Sequence, residues 1–394
     1  MIKIMAVNAG SSSLKFQLLE MPEEKLITSG IVERIGMKNS VFAIKFNGKK
    51  QEEVLDISDH AVAVNILLNK LIELKIIASF DEISGVGHRV VHGGDRIAES
   101  VVLGEKEVAY LEEIVDLAPL HLIPNLTGIK AFKKVLPNVK HIGVFDTAFH
   151  HTMPEESFLY AVPFDWYERF QVRKYGFHGT SHKFVSNRCA EIMGKKPEEC
   201  NIIVAHIGNG ASICAVKQGR SVDTSMGFTP LDGIPMGTRS GAIDPAIIEY
   251  MMIKKGKSVK EITNYLNKQS GYLGISGISS DSRDLVAKAA KGNHRAKLAI
   301  EVQAKRIVDY IASYYVYMGG ADAIVFTAGI GENAKTTRSN IINRLSALGA
   351  KIDEERNDCR GVEKLISTDD SKIKVYVIPT NEEVMIARDT LALL

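Results

Sequence analysis

Each half of this chain begins with the same order of elements: a strand, a turn of small residues and a second strand. In the first half, strands predicted over 3–7 and 14–19 flank the turn Asn-Ala-Gly-Ser-Ser-Ser. In the second half, strands predicted over 201–206 and 213–216 flank Gly-Asn-Gly-Ala-Ser. The two halves share no sequence repeat, so the likeness is one of topology. We therefore expect each half to build its own sheet from an opening hairpin.

Strands and helices alternate after each hairpin, which predicts an α/β protein. Apolar runs predict further strands over 26–32, 41–46, 54–57, 82–86, 141–145, 321–327 and 374–378. Helical periodicity predicts helices over 61–74, 105–117, 245–255, 259–268, 296–318, 335–348 and 382–391. Because 394 residues are too many for one core, we expect two domains, 1–149 and 150–381, with the helix at 382–394 packing back on the first.

The bulk composition is that of a globular protein, with 45% hydrophobic and 24% charged residues. Lys and Arg number 49 against 47 Asp and Glu, a net charge of +2, which gives no electrostatic basis for a nucleic-acid or membrane partner. The 4 cysteines lack C-x-x-C spacing, so we expect reduced thiols. We see no signal-peptide pattern and no apolar run of membrane length, and we expect a cytoplasmic protein.

The small-residue turns are suited to binding an anion. A turn of Gly and Ser exposes backbone N–H groups and hydroxyls in a concave cluster that fits a phosphate. Lys15 adds a positive charge on the exit strand of the first turn. The segment 329–333 lies between a predicted strand and a predicted helix, where free N–H groups and the helix dipole favour anions. A serine-rich hairpin turn without a ligand is the alternative for the first turn.

Three basic side chains lie beside glycines in segments that we expect at strand ends: Arg89, His178 and Arg239. Glycine neighbours let the backbone and a ligand approach closely, so their recurrence predicts a shared anionic site. Two carboxylates, Asp146 and Glu382, follow predicted strands, a position suited to holding Mg²⁺ together with phosphate oxygens and waters. For either carboxylate, a helix cap or a surface charge is the alternative.

A dinucleotide-binding interpretation competes with this one. Residues 329–334 read Gly-Ile-Gly-Glu-Asn-Ala and fit the pattern G-x-G-x-x-A, with Asp353 at a suitable distance downstream. This interpretation predicts NAD binding. It leaves the serine turn, the segment 206–212 and the two arginine segments around Arg89 and Arg239 unexplained, and no strand–helix–strand unit opens the chain. A phosphate site built from several turns accounts for more of the sequence.

Seven segments, spread over the whole chain, closely resemble the acetate and butyrate kinase family: 7–15, 87–94, 145–150, 175–182, 204–212, 235–241 and 380–383. The resemblance implies two duplicated RNase H-like domains of the actin, Hsp70 and sugar-kinase type, with an interdomain nucleotide cleft, in a homodimer. It implies a reversible, Mg²⁺-dependent enzyme that transfers phosphate directly from ATP to acetate, with Mn²⁺ able to substitute. Propionate or butyrate kinase, or a non-catalytic actin- or Hsp70-like ATP switch, are the alternatives.

The resemblance also implies roles for individual residues. The catalytic residues would be Asp146, His178 and Arg239. The carboxylate substrate would meet Arg89 and an acyl pocket of Val91, Leu120, Phe177 and Pro230. ATP or ADP would meet Ser11, Ser13, Lys15, His206, Ile207, Gly208, Asn209, Gly210, Asp281, Ser282, Arg283, Gly329, Ile330, Gly331, Glu332 and Asn333. The metal ion would meet Asn8 and Glu382.

Overall fold

The structure is a computed structural model that describes residues 2–394. The chain divides into two compact units. The first unit runs to Phe149 and also contains Asn381–Leu394, and the second is His150–Thr380. Each unit holds one mixed sheet with helices packed on it, which confirms the predicted α/β class. Among the described helices, none combines the length and the apolar character needed to cross a membrane.

The strands, in chain order, are β1 (Ile2–Ala9), β2 (Ser13–Met21), β3 (Lys25–Glu33), β4 (Ser40–Phe46), β5 (Lys49–Leu55), β6 (Ile83–Val90), β7 (Val101–Val102), β8 (Lys140–Phe145), β9 (Asn201–Ile207), β10 (Ala211–Lys217), β11 (Arg220–Thr224), β12 (Ala323–Thr327), β13 (Lys364–Leu365) and β14 (Lys374–Val377). The helices are α1 (His60–Glu73), α2 (Glu105–Glu113), α3 (Pro119–Val135), α4 (Glu155–Phe158), α5 (Asp165–Phe170), α6 (Gly179–Ile192), α7 (Ala246–Lys255), α8 (Val259–Lys268), α9 (Gly271–Ser276), α10 (Ser282–Ala290), α11 (His294–Met318), α12 (Ala328–Asn333), α13 (Lys335–Arg344) and α14 (Glu382–Ala392).

The sheet of the first unit has the strand order β5-β4-β3-β2-β1-β6-β8-β7. β1 pairs antiparallel with β2 and parallel with β6, and β6 pairs parallel with β8. On one side, α1 and α3 cover the sheet through an apolar core that includes Leu18, Leu67 and Phe132. The parallel pairing places the carboxyl ends of β1, β6 and β8 at one edge, where the predicted site residues of this unit lie.

The C-terminal helix α14 packs against β1 and β6. Two glycines of β6 make this close packing possible. A Cβ added at Gly87 would lie 2.3 Å from Thr390 Oγ1 and 2.5 Å from Ile386 Cγ2, distances that no side chain tolerates. Asn381 caps the helix by accepting a hydrogen bond from the Val384 N–H at 3.2 Å, which fixes Glu382 in the first turn.

The sheet of the second unit has the strand order β11-β10-β9-β12-β14-β13. β9 pairs antiparallel with β10 and parallel with β12, and its residues from Ile202 to Ile207 are all buried. The helices α6 and α11 both pack against β9. In chain order the sheet therefore begins with an antiparallel hairpin, as the sheet of the first unit does, and not with the strand–helix–strand unit of a dinucleotide-binding fold.

The predicted elements differ from the observed ones in several places. The strand predicted to end before Arg89 continues to Val90, because β6 is held by ladders to β1 and β8 on both sides. Arg89 is therefore inside a strand. The edge strand β5 begins at Lys49 instead of residue 54, because its charged, exposed residues did not show a strand pattern. α2 ends at Glu113, and a 3-10 turn over Val115–Leu117 follows.

The expectation that His178 and Arg239 follow strands was wrong. His178 is the N-cap of α6, with a left-handed φ of 59°, and Arg239 lies in a turn that is closed by a hydrogen bond from the Met236 N–H to the Arg239 carbonyl at 3.0 Å. The helices that were not predicted are α3, α4, α5, α6, α9, α10 and α12. Prolines interrupt the apolar pattern of α3, and α6 begins with the five small or polar residues Gly-Thr-Ser-His-Lys.

Candidate active site

In the first unit, Arg89 lies between two carboxylates. The register pairs Arg89 of β6 with Val144 of β8, so Asp146, just past the end of β8, lies beside the guanidinium. Arg89 donates to Asp146 twice, from Nε to Oδ1 at 3.1 Å and from Nη2 to Oδ2 at 2.6 Å. Its Nε also lies 3.5 Å from Glu382 Oε2. This cluster unites three residues that the sequence singled out separately.

The electrostatics of this cluster keep the arginine charged. Asp146 is 2% exposed, and Arg89 supplies a positive charge directly beside it. Burial alone would lower the pKa of Arg89, but the negative charges of Asp146 and then Glu382 raise that pKa above its ordinary value. The guanidinium therefore has a fixed orientation and a permanent charge, the properties required to bind a carboxylate or phosphate.

Asn125 and Thr147 support this cluster and were missed by the sequence analysis. The buried Asn125, on α3, accepts from the Val91 N–H at 3.0 Å and donates to the Ala9 carbonyl at 2.8 Å. It thereby joins the segment that follows Arg89 to the end of β1. Thr147 accepts from the Gly93 N–H at 3.1 Å. The sequence did not indicate Asn125 because α3 itself was not predicted. A single buried asparagine within a helix also leaves no recognisable pattern in the sequence.

The serine turn between β1 and β2 is a tight reversal. The Gly10 N–H donates to the Ser13 carbonyl at 2.8 Å, and His60 Nε2 lies 2.8 Å from the Gly10 carbonyl. Asn8 and Lys15 are paired across the two strands, and the Lys15 side chain is exposed together with Ser11. Ser13 is half-buried at the start of β2. The turn therefore presents polar groups and one cation to solvent, as the sequence predicted.

In the second unit, the turn between β9 and β10 forms a compact glycine loop. The Gly208 N–H donates to the Gly210 carbonyl at 3.0 Å. A Cβ added at Gly210 would lie 3.3 Å from His178 Nε2 and 3.6 Å from Arg239 Nη1. Two cationic or N–H donor groups from distant parts of the sequence thus meet at this glycine. We call residues 208–210 the glycine loop.

Neighbouring groups orient both donors. The His178 ring stacks on His206, with 4.1 Å between ring centroids, and its Nδ1 lies 2.9 Å from Ser212 Oγ. Arg239 Nη1 donates to the Pro230 carbonyl at 3.2 Å. Burial lowers the pKa of Arg239. Because the ordinary pKa of arginine lies far above 7, the side chain remains a cation at neutral pH.

A cavity of about 970 Å³ opens beside the glycine loop. This volume is at the upper end of the range typical of small-molecule sites. Eight of the residues predicted to bind the nucleotide line it: Gly208, Asn209, Asp281, Ser282, Arg283, Gly329, Ile330 and Asn333. Other residues, which the sequence did not single out, form apolar parts of the cavity wall, among them Tyr272, Val286 and Ala287. Residues from six separate segments therefore form one nucleotide-sized cavity.

Other predicted nucleotide residues of this unit are not part of the cavity wall: His206, Ile207, Gly210, Gly331 and Glu332. Glu332 Oε1 accepts from the Ala328 N–H at 2.7 Å and from the Thr380 N–H at 3.2 Å. The Gly331 carbonyl accepts from Arg338 at 2.9 Å. These two residues hold the backbone of the wall in place.

The four predicted acyl-pocket residues are divided between the units. Val91 and Leu120 belong to the first unit, and Phe177 and Pro230 belong to the second. Val91 and Phe177 are buried, whereas Leu120, in the first turn of α3, is 74% exposed. An apolar side chain with this exposure is available to contact a small apolar group.

The predicted metal residues supply oxygen ligands only. Asn8 offers an amide oxygen at the end of β1, and Glu382 offers a carboxylate in the first turn of α14. Both side chains are partly exposed, which leaves room for waters and phosphate oxygens, and this donor set fits Mg²⁺. Within residues 2–394, no group of three or more His, Cys, Asp or Glu side chains could hold a metal by itself.

Known proteins match this chain over its whole length. Residues 3–388 match the Acetokinase family. A protein of Acholeplasma laidlawii named acetate kinase is 60% identical, over 100% of this chain and 99% of that protein. Two crystal structures cover 100% of both chains at 44% identity: an acetate kinase of Porphyromonas gingivalis, with a TM-score of 0.95, and a propionate kinase of Francisella tularensis, with a TM-score of 0.94. This chain therefore belongs to the Acetokinase family.

Proposed function

We propose that this protein is an enzyme that reversibly transfers the γ-phosphoryl group of ATP to acetate, yielding acetyl phosphate and ADP. The single observation that carries the proposal is the meeting of His178 Nε2 and Arg239 Nη1 at Gly210, beside a nucleotide-sized cavity. A site that only held ATP would not need two such donors at the glycine loop. Family membership and the named relatives support the same reaction.

The chemistry requires little beyond alignment and charge neutralisation. Acetate is already an ionised nucleophile, so no strong general base is needed to activate it. The phosphoryl group in flight spreads negative charge over its oxygens, and N–H donors fixed beforehand stabilise that charge. We assign this stabilisation to His178 and Arg239, the carboxylate contact to Arg89, and the orientation of Arg89 to Asp146.

We further propose that the second unit binds the nucleotide. The glycine loop would hold phosphate oxygens, and Asp281–Arg283 together with 329–333 would flank the adenosine. In the first unit, Ser11, Ser13 and Lys15 would meet the transferred phosphate. Mg²⁺, for which Mn²⁺ would substitute, would be held by Asn8 and Glu382. The ion would neutralise phosphate charge when bound.

Selectivity among short carboxylates depends on the few side chains that contact the acyl group. One methylene changes the binding free energy in a hydrophobic pocket by only about 1–3 kcal/mol. The binding free energies of acetate, propionate and butyrate in the same pocket therefore differ by small amounts. Propionate is the second candidate, because the propionate kinase structure is as similar to this chain as the acetate kinase structure is, with TM-scores of 0.94 and 0.95. We assign the acyl contact to Val91, Leu120, Phe177 and Pro230.

Trapping of the product with hydroxylamine tests the reaction. The protein is incubated with MgATP, hydroxylamine and acetate, propionate or butyrate, and the hydroxamate is measured. We expect acetate to give the highest kcat/KM. A higher value with propionate or butyrate would reassign the substrate. The absence of any hydroxamate, with ATP still bound, would instead favour the non-catalytic switch and contradict the kinase proposal.

We also propose a homodimer in the cytoplasm. The segment at and around α5 exposes Val162, Phe164, Trp166 and Phe170, an apolar set that a second copy of the chain would cover. The four cysteines are free thiols, three of them buried, which suits a reducing compartment. Light scattering coupled to gel filtration tests the dimer, and a monomeric mass at micromolar concentration would contradict it.

A further inference from the structure

A buried serine joins two histidines at the base of the site. Ser212, on β10, is fully buried and its Oγ lies 2.9 Å from His178 Nδ1 and 2.8 Å from His182 Nε2. Both histidines come from the start of α6, where His178 is the N-cap and His182 lies one turn further. We call His182, Ser212 and His178 the His–Ser–His chain.

The single hydroxyl proton of Ser212 couples the two rings. Among the described residues, the two rings are the only hydrogen-bond partners of Ser212 Oγ, so its one proton is donated to one ring and the oxygen accepts from the other. His182 is neutral at neutral pH, because burial, and then the nearby His150 and His206, hold its pKa well below the ordinary value. Its ring therefore carries one proton, on either Nδ1 or Nε2.

The surroundings of His182 decide where that proton lies. Among the described residues, Nδ1 of His182 has no hydrogen-bond partner, whereas Nε2 faces Ser212. A proton on Nδ1 would create a buried N–H without an acceptor, which native proteins avoid more strictly than an unfilled acceptor. The proton is therefore on Nε2, which donates to Ser212. The Ser212 hydroxyl then donates to Nδ1 of His178.

This order leaves only Nε2 of a neutral His178 to carry the proton. This Nε2 would lie 3.3 Å from a Cβ added at Gly210, and Arg239 Nη1 would lie 3.6 Å from the same Cβ. We propose that Ser212 and His182 are positioning residues that fix the tautomer of His178, so that its Nε2–H points at the glycine loop and donates to the phosphoryl group. This inference rests on the proposed phosphoryl transfer for its role, but the tautomer itself does not depend on it.

Nitrogen NMR of the full-length protein labelled with ¹⁵N-histidine tests the tautomer directly. In a neutral imidazole, the protonated and bare nitrogens resonate at widely separated positions. We expect Nε2 protonated and Nδ1 bare for both His178 and His182, assigned by the signals lost in His178→Gln and His182→Gln. A His178 protonated at Nδ1 in the unmodified protein would overturn the inference, and this measurement needs no folded variant at position 212.

Substitution of Ser212 tests the consequence. Ser212→Ala should let His178 populate both tautomers, which moves its nitrogen signals toward each other. It should also lower kcat by about 10- to 100-fold, the effect of removing an outer hydrogen-bond partner, with KM for ATP little changed. Ser212→Thr keeps the hydroxyl and should restore both readouts. A folded Ser212→Ala protein with unchanged signals and kcat would contradict the proposal.

Ser221 offers a matched control. It is also fully buried, lies on the neighbouring strand β11, and its Oγ is 2.8 Å from His150 Nδ1, outside the His–Ser–His chain. Ser221→Ala removes a comparable serine–histidine hydrogen bond and should leave the His178 tautomer unaltered. Loss of the His178 tautomer in this variant would show a general packing effect and count against the assigned role. The hydroxamate assay of the unmodified protein tests the reaction separately from the tautomer.

Discussion

Arg89 and Asp146 form a two-point fork between neighbouring parallel strands, with hydrogen bonds of 3.1 and 2.6 Å. Glu382 approaches the same guanidinium from α14 at 3.5 Å. The plane of the guanidinium is thereby fixed before any substrate arrives, and donors fixed in advance need no reorganisation during reaction. The fork also compensates a buried negative charge. Its contributions to activity and to stability can be separated by mutation.

Arg89→Ala should abolish most activity and destabilise the protein. The variant leaves Asp146 buried without its cation, and breaking a buried ion pair costs about 3–5 kcal/mol of unfolding free energy. We expect kcat/KM for acetate to fall by about 10²–10⁴-fold, the range for loss of an oxyanion-type contact. Urea unfolding and the hydroxamate assay measure the two effects. A folded variant with a near-normal rate would remove Arg89 from the site.

Asp146→Asn separates the two roles of the fork. Combined with Arg89→Ala, it removes the uncompensated charge and should recover part of the unfolding free energy without recovering activity. Alone, it weakens the orientation of Arg89 and should lower kcat/KM while retaining the fold. If both the rate and the dependence on Mg²⁺ stayed unchanged in the single variant, Asp146 would have a structural role only.

Arg239→Ala should lower kcat by about 10²–10⁴-fold, because it removes a donor at the glycine loop. Arg239→Lys keeps the charge but not the planar fork, so we expect an intermediate rate. Arg306 on α11 provides a surface control, since its guanidinium is half-exposed and lies 3.7 Å from Asp309. Arg306→Ala should retain the normal rate. Equal rates for Arg239→Ala and this control would contradict the assignment.

Gly87→Ala should loosen the docking of α14. The added methyl would lie 2.3 Å from Thr390 Oγ1, so the helix must shift, at a cost of about 1–3 kcal/mol of unfolding free energy. Activity should fall as well, because α14 carries Glu382. A second substitution, Thr390→Ala, opens space beside the methyl and should restore part of both. An unchanged free energy of unfolding in Gly87→Ala would contradict this prediction, because it would show that α14 moves away from β6 without loss of stability.

The stability of the protein should fall as the pH drops below about 6.5, the ordinary pKa of histidine. Burial lowers the pKa of His88, His141, His150 and His182, to about 4 for His150. These side chains are neutral in the folded protein at a pH where the unfolded chain already binds protons. The unfolded state is therefore favoured by up to about 1.4 kcal/mol per pH unit for each histidine.

The buried pair His88 and His141, joined at 3.0 Å between Nε2 and Nδ1, provides the test of this pH dependence. The free energy of unfolding is measured with urea at about pH 7.5 and about pH 5.5. The change of this free energy with pH is set by the protons that the chain takes up on unfolding. The double variant His88→Leu/His141→Leu should show a shallower dependence, whereas His294→Gln, at an exposed position, should keep it. An unchanged slope in the double variant would contradict the prediction.

Local patterns were sufficient to find the opening hairpins and the helices α7, α8, α11, α13 and α14. They also singled out Arg89, Asp146 and Glu382, which the structure brings together. Alternation of apolar residues reports burial on one face, and glycines beside Arg89 or His178 report close approach of backbone. The same patterns failed for α3 and α6, whose polar residues serve tertiary hydrogen bonds. Asn125 on α3 was consequently missed, and the hydrogen bond between His182 on α6 and Ser212 on β10 could not be predicted from either segment alone.

The sequence by itself determined which residues are unusual: the two turns of small residues, the basic side chains beside glycine, and the carboxylates after strands. Only the tertiary structure decided which of them meet. Arg89 finds Asp146 57 positions away because β6 and β8 pair in parallel register, and α14 returns Glu382 to the first unit. His178 reaches Gly210 because α6 begins there in a left-handed cap. Such contacts depend on strand order and helix docking, which local residue preferences do not encode.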